Sequence, residues 1–157
     1  MGVWVQESRR HNLDPVLLYS VALRESRRMS DDGLVRPHPW TLNGPNGGEY
    51  FESREKAEEA LTRYINAGYK NIDVGWMQVN ILYNGDRVNS PIELLDPAVN
   101  TRVGAEILAE GIANNPEDIV MGVGRYNAGY SPGSETKARS YGKDVMLIYR
   151  RILKYLE

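Results

Sequence analysis

In the stretch DPVLLYSVALRES, Asp14 to Ser26, the apolar residues Leu18, Val21 and Ala22 recur at helical spacing, and Glu25 falls on the same stripe. Helical residues turn by about 100° each, so Leu18 and Glu25 lie almost above one another. A stripe of this kind faces the interior, where its carboxylate is partly desolvated. Desolvation disfavours the charged form and raises a carboxyl pKa. A glutamic acid tuned in this way serves as a general acid. The competing reading is a glutamate at a fraying helix end, solvated or paired with Arg24, Arg27 or Arg28. An arginine at pairing distance lowers a carboxyl pKa instead.

Three further stretches carry polar groups suited to holding a neutral ligand. In VGWMQVN, Gly75 permits close backbone approach, Trp76 and Met77 offer apolar surface, and Gln78 and Asn80 offer amides. In GRYNAGYSPG, Tyr126 and Asn127 precede a glycine turn. Tyr141 faces inward early in the last predicted helix. Taken singly, each has a plain structural reading: a buried turn with satisfied amides, a helix C-terminus, and a core tyrosine.

The elements that must position these groups are mostly helical. Val3 to His11 is a short amphipathic segment. Asp14-Pro15 is a cap followed by proline at the first helical position, which starts a helix running to about Arg27. Residues 29–52 are punctuated by glycine and proline, with PWTLN and EYF as two short strands around GPNGG. Ser53 caps a helix with Ala57, Ala60, Leu61, Tyr64 and Ile65 on one face, closed by Gly68. Asp96-Pro97 repeats the start signal for a helix with Val99, Val103, Ile107 and Leu108 on one face. Pro116 opens another, and Ser134 caps the last, whose stripe is Ala138, Tyr141, Val145, Ile148, Ile152 and Leu156. The expected fold is mainly α, one domain over residues 1–157, with a small β excursion near residues 39–52.

Composition sets the outer bounds. A chain of 157 residues suffices for one real core. The net charge of −2 lacks the basic excess of a nucleic-acid binder. No cysteine is present, and His11 and His38 lack partners at metal-ligand spacing, so neither a metal nor a cofactor is expected. No run approaches the roughly 20 apolar residues of a membrane span. Residues 1–12 carry Glu7, Arg9 and Arg10 and do not read as a secretory leader. Ten tyrosines against one phenylalanine suit a wet groove, or core tyrosines at helix ends.

In this order the motifs resemble the soluble lytic transglycosylase (SLT) family, a lysozyme-like (goose-type) group. Its glutamate-serine pair matches Glu25-Ser26 and its G-L-M-Q motif matches Gly75-Trp76-Met77-Gln78, with Asn80 following. Its A-Y-N-A-G motif matches Arg125 to Gly129, and its late tyrosine matches Tyr141, with Val145 four residues on. Departures are Trp76 for leucine, Arg125 for a small residue, Tyr130 for proline, and Gly142 for a larger apolar residue. The stretches HPWTLNG, FESREKAEEAL and GYKNIDVGWMQVN look similar to the specialised branch that accompanies secretion and conjugation machinery.

The resemblance implies non-hydrolytic cleavage of the β-1,4 bond between N-acetylmuramic acid and N-acetylglucosamine in peptidoglycan. Glu25 would be acid and then base, which explains why one strong carboxylate suffices. Ser26, Tyr126 and Tyr141 would orient it, Gly75, Trp76 and Met77 would shape the groove, and Gln78, Asn80 and Asn127 would bind acetamido and hydroxyl groups. The implied place of action is the cell envelope or periplasm. Two alternatives remain at this point. One is a goose-type lysozyme with water as acceptor; the other is an idle peptidoglycan-binding or assembly module. Asp73 is expected to cap the VGWMQ segment, or else to act as a second carboxylate, which an inverting hydrolase holds about 6.5–9.5 Å from the acid.

Overall fold

The computed structural model describes residues 2–157; Met1, the first residue of the expected domain, lies outside them. By the packing of its backbone the chain forms two compact units, Met1–Arg24 with Ala105–Glu157, and Glu25–Gly104. The boundaries fall within two helices, after Arg24 and after Gly104.

The first unit is helical. It contains α1 (Val3–Arg10), most of α2 (Pro15–Ser26), the second half of α5 (Pro97–Ala113), α6 (Ile119–Ala128) and α7 (Glu135–Leu156). Asp14 caps α2 as its sequence predicts: its Oδ1 accepts from the amides of Val16 at 2.7 Å and Leu17 at 3.4 Å. Its Oδ2 accepts from the Tyr149 hydroxyl at 2.7 Å, which holds that phenol above its usual pKa. Leu18, Val21 and Ala22 are fully buried.

Two starts differ from expectation. Helix α6 begins at Ile119 rather than Pro116, because Asp118 is the cap, accepting from Met121 N at 3.0 Å. Ser134 precedes α7 but does not cap it with its side chain; its hydroxyl donates to Ser131 O at 2.6 Å.

Glycines set how α6 and α7 pack. A Cβ on Gly124 would lie 1.9 Å from Ala138 O, and one on Gly142 would lie 2.0 Å from Val120 O. Only hydrogen at these positions lets the backbones approach so closely. Gly142, a departure from the family pattern, is therefore required by this contact. The α7 stripe is buried at Ala138, Tyr141 and Val145 and emerges toward its C-terminus, where Leu156 is exposed.

The second unit holds all six strands of the described residues. β1 (Arg27–Met29) pairs antiparallel with β2 (Val35–Pro37). A second sheet is antiparallel in the order β4 (Gly47–Tyr50), β3 (Thr41–Gly44), β5 (Asp73–Val74), β6 (Val79–Asn80). The excursion near residues 39–52 is thus β3 and β4, while the other two pairs lack the length for a two-residue alternation to register. Helix α3 (Arg54–Asn66) packs on β3 and on the 3₁₀ turn Pro91–Leu95. Its cap is Ser53, accepting from Lys56 N at 3.2 Å, and Ala57, Ala60, Leu61 and Tyr64 are its buried face. Asp96 starts α5, accepting from Ala98 N at 2.9 Å and Val99 N at 3.1 Å. The short α4 (Ile81–Asn84) follows β6.

Candidate active site

Glu25 sits one residue from the end of α2, half-buried below the fully buried stripe that precedes it. Arg24, one of its suspected partners, is engaged within its own unit. Its Nε donates to Asp144 Oδ2 at 3.3 Å and its guanidinium lies 5.4 Å from the Tyr141 ring centroid.

Ser26 is buried and ties the helix end down. Its hydroxyl donates to Trp76 O at 2.8 Å and accepts from His38 N at 3.2 Å, and its carbonyl accepts from the same amide at 3.0 Å. The acid-bearing residue is thereby fixed against the segment Gly75–Gln78, within one unit.

That segment is a tight turn between β5 and β6. Gly75 has φ +79° and Gln78 φ +48°, both left-handed. A Cβ on Gly75 would lie 2.3 Å from Asn100 Nδ2, so glycine is needed for space as well as for conformation. Gln78 stabilises its own strained position: its Nε2 donates to Gly75 O at 2.8 Å and Thr41 O at 3.2 Å.

Two residues that sequence reasoning passed over hold the turn from below. Asn100, on α5, accepts from Met77 N at 2.9 Å and donates to Val74 O at 2.8 Å and Leu94 O at 2.9 Å. Thr101 accepts from the Trp76 indole N–H at 2.9 Å and donates to Pro97 O at 2.8 Å. Both are buried, whereas Val99 and Ile107 on the expected apolar stripe are only half-buried. Their signal was two adjacent uncharged polar residues early in a helix whose other polar residues are charged.

Met77 is fully buried, and a Cβ on Gly104 would come within 2.6 Å of its Cε. Asn80 caps α4, accepting from Leu82 N at 3.0 Å and Tyr83 N at 3.3 Å, while its Nδ2 donates to Asp73 Oδ1 at 2.9 Å. Asp73 stands in a strand before a tight turn rather than before a helix. It lies in β5, opposite Asn43 and Asn80 in register, and accepts from both amides.

In the first unit, Tyr126 and Tyr141 stack with ring planes 15° apart and centroids 6.3 Å apart. Asn127 is exposed beside them in sequence. The departures Arg125 and Tyr130 are coupled. The Arg125 guanidinium lies 5.4 Å from the Tyr130 ring centroid, and its Nη1 donates to Gly129 O and Ser134 Oγ, each at 3.0 Å. Together they clamp the glycine turn in place of a proline.

Among the described residues, no cluster of His, Asp or Glu is arranged to hold a metal ion, and no helix is long and apolar enough to cross a membrane. A shallow depression along α3, lined by Glu55, Glu58, Glu59, Thr62 and Arg63, contains none of the motif residues.

A mainly helical fold with a small antiparallel sheet, carrying these motifs in this order, defines a lysozyme-like SLT domain. The family model of the transglycosylase SLT domain matches residues 50–148, so the chain belongs to the SLT transglycosylase family. The match contains Gly75 to Asn80, Tyr126, Asn127 and Tyr141, and begins after Glu25-Ser26. Membership makes peptidoglycan the substrate and lytic transglycosylase chemistry the type of function. No curated protein and no solved structure matches the chain.

Proposed function

We propose that the chain, acting as one catalytic domain, cleaves the MurNAc-GlcNAc β-1,4 bond of peptidoglycan non-hydrolytically and leaves 1,6-anhydro-MurNAc ends, with Glu25 as acid and base. The observation that carries this reading is the hydrogen bond from Ser26 to Trp76 O. It joins the helix end bearing Glu25 to the Gly75–Gln78 turn inside the matched family domain.

Glu25 gives its proton to the glycosidic oxygen as the bond to the anomeric carbon breaks. The departing GlcNAc takes that proton, and the muramyl acetamido oxygen stabilises the positive anomeric centre. The Glu25 carboxylate then removes the proton of the muramyl 6-hydroxyl, whose oxygen bonds to its own anomeric carbon. Glu25 ends protonated, ready for another turnover. Ring closure is intramolecular, so proximity replaces the second carboxylate of a retaining hydrolase.

Trp76 and Gln78 are half-buried on a fixed turn, which suits a groove wall and an amide contact. Met77 supports that wall from beneath. Tyr126, Asn127 and Tyr141 carry the remaining family motifs, in which the tyrosines orient polar groups and Asn127 offers an exposed amide. Asn80 contributes by fixing the strand that follows the turn. We place the activity at the cell envelope. The likeness of HPWTLNG and GYKNIDVGWMQVN to the specialised branch supports work beside secretion or conjugation machinery.

The test is mass spectrometry of muropeptides released from purified peptidoglycan, with Glu25→Gln as control. Anhydro ends, lighter by one water than reducing ends, are expected from the unmodified protein only. Reducing ends would make it a goose-type lysozyme, and no products would leave a binding module.

A further inference from the structure

Glu25 stands in the last turn of α2, and the last carbonyls of a helix have no partner within it, so such a turn is prone to fray. The fully buried stripe ends at Ala22, and Leu23, Arg24 and Glu25 are half-buried. Beyond that stripe, the residues on either side of the glutamate tie the turn down. Ser26, which follows it, is bonded to Trp76 O and His38 N. Arg24, which precedes it, is tied to α7.

Two groups of α7 hold Arg24. Its Nε donates to Asp144 Oδ2 at 3.3 Å, and its guanidinium lies over the Tyr141 ring, 5.4 Å from the centroid. Asp144 follows Tyr141 by three residues, so the two share a face of α7. The ion pair alone would hold little, since its side chains are 37% and 54% exposed and surface pairs are weak. The ring makes the difference. Tyr141 is 4% exposed and stacks on Tyr126, which makes it a fixed surface. A planar guanidinium laid on that surface, with a carboxylate beside it, keeps few of its rotamers.

Successive helical residues leave the axis at steps of about 100°. The attachments of Arg24 and Ser26 therefore stand on either side of Glu25, and together they fix the rotation of the turn about its axis. Adjacent helical residues do not face one another, so Arg24 acts on Glu25 through the backbone and not by pairing with it. We infer that Arg24, clamped by Asp144 and the Tyr141 ring, is a positioning residue that sets the aim of the Glu25 carboxyl. The inference rests on the reading of Glu25 as acid and base. Such chemistry tolerates little misplacement: an error of about 1 Å costs on the order of a hundredfold in rate.

Soluble glycan strands prepared from peptidoglycan provide the test, with products counted by mass spectrometry over a range of strand concentrations. Arg24→Gln should lower kcat by about tenfold and leave KM within about twofold. Arg24→Lys keeps a cation beside Asp144 and the ring but loses the planar fork, and should recover most of the loss. Asp144→Asn should give a smaller fall, and no further fall when added to Arg24→Gln. If Arg24→Gln does not fold, Asp144→Asn, at an exposed position, carries the same split. An unchanged kcat, a rise in KM in its place, or a fall no larger than the unfolded fraction overturns the inference. Failure of the catalytic reading shows differently, as no cleavage by the unmodified protein or undiminished cleavage by Glu25→Gln. Amide hydrogen exchange then decides: Arg24→Gln should speed exchange at Glu25 and Ser26 by about tenfold, and unchanged exchange overturns the clamp.

Discussion

The hydroxyl of Ser26 donates to the carbonyl of Trp76 at 2.8 Å, joining two segments fifty residues apart in the chain. One segment ends the helix that carries Glu25, and the other is the tight turn of the family motif. The same hydroxyl accepts from His38 N, so it is used on both sides. Ser26→Ala should remove about 1 kcal/mol of stability, because the part-buried Trp76 carbonyl loses its donor while the His38 amide keeps the Ser26 carbonyl. Chemical denaturation reads that cost. Turnover should fall by more than stability alone accounts for, since Glu25 loses its fixed placement.

Glu25→Gln is the complementary substitution. It should abolish the release of anhydro products, a loss of at least about a hundredfold for a general acid-base residue. Folding stability should stay within about 1 kcal/mol, since a half-buried acid becomes a neutral amide of equal size. A much larger drop in melting temperature would falsify the catalytic assignment by exposing a structural ion pair.

Asn100 contacts no substrate in the proposed reaction, yet it should be among the most sensitive positions. Asn100→Leu keeps the volume and leaves Met77 N, Val74 O and Leu94 O without their partner. The expected cost is about 3 kcal/mol or more. For a chain of this size that lowers the melting temperature by roughly 10 °C.

Gly142→Ala moves the sequence toward the bulkier residue usual in the family, and it should destabilise the protein. The added Cβ would meet backbone, Val120 O at 2.0 Å, which cannot rotate away. A cost of about 3 kcal/mol is expected for such overpacking. Near-ultraviolet circular dichroism should change as well, because the α6–α7 contact sets the stacking of Tyr126 on Tyr141.

His38 gives stability a pH dependence. Burial, and then the charge of Arg28, hold its imidazole below the usual pKa of 6.5. The unfolded chain therefore binds this proton first as pH falls, and stability declines from about pH 6.5 down to the lowered folded value. Above that window the residue is neutral in both states and contributes no slope. Replacing His38 by glutamine should flatten the decline just below pH 6.5, as measured by denaturation at each pH.

The helices were legible because their starts are chemical signals. Asp14, Ser53 and Asp96 all cap as read, and Gly68 closes α3 with a φ of +91°. Pro116 misled, since the side chain that meets the free amides belongs to Asp118. β1 and β2 were not legible: their residues are exposed or nearly so, and no alternation of apolar and polar marks them. Within the site, Gly75 was read correctly as a place of close approach. Asn100 and Thr101 were hidden because an apolar stripe is the usual sign of a buried helix face. A polar residue with every hydrogen bond satisfied is equally at home there.

The pairing of Trp76 with Thr101 carries a consequence for ancestry. The indole N–H donates to the Thr101 hydroxyl, and that hydroxyl also donates to Pro97 O, so it is satisfied without the indole. A lineage with leucine at position 76 can therefore acquire threonine at 101 at little cost. The reverse order passes through an intermediate whose indole lacks the Thr101 acceptor. The two positions should covary among relatives, and where only one has changed, it should be the threonine that came first.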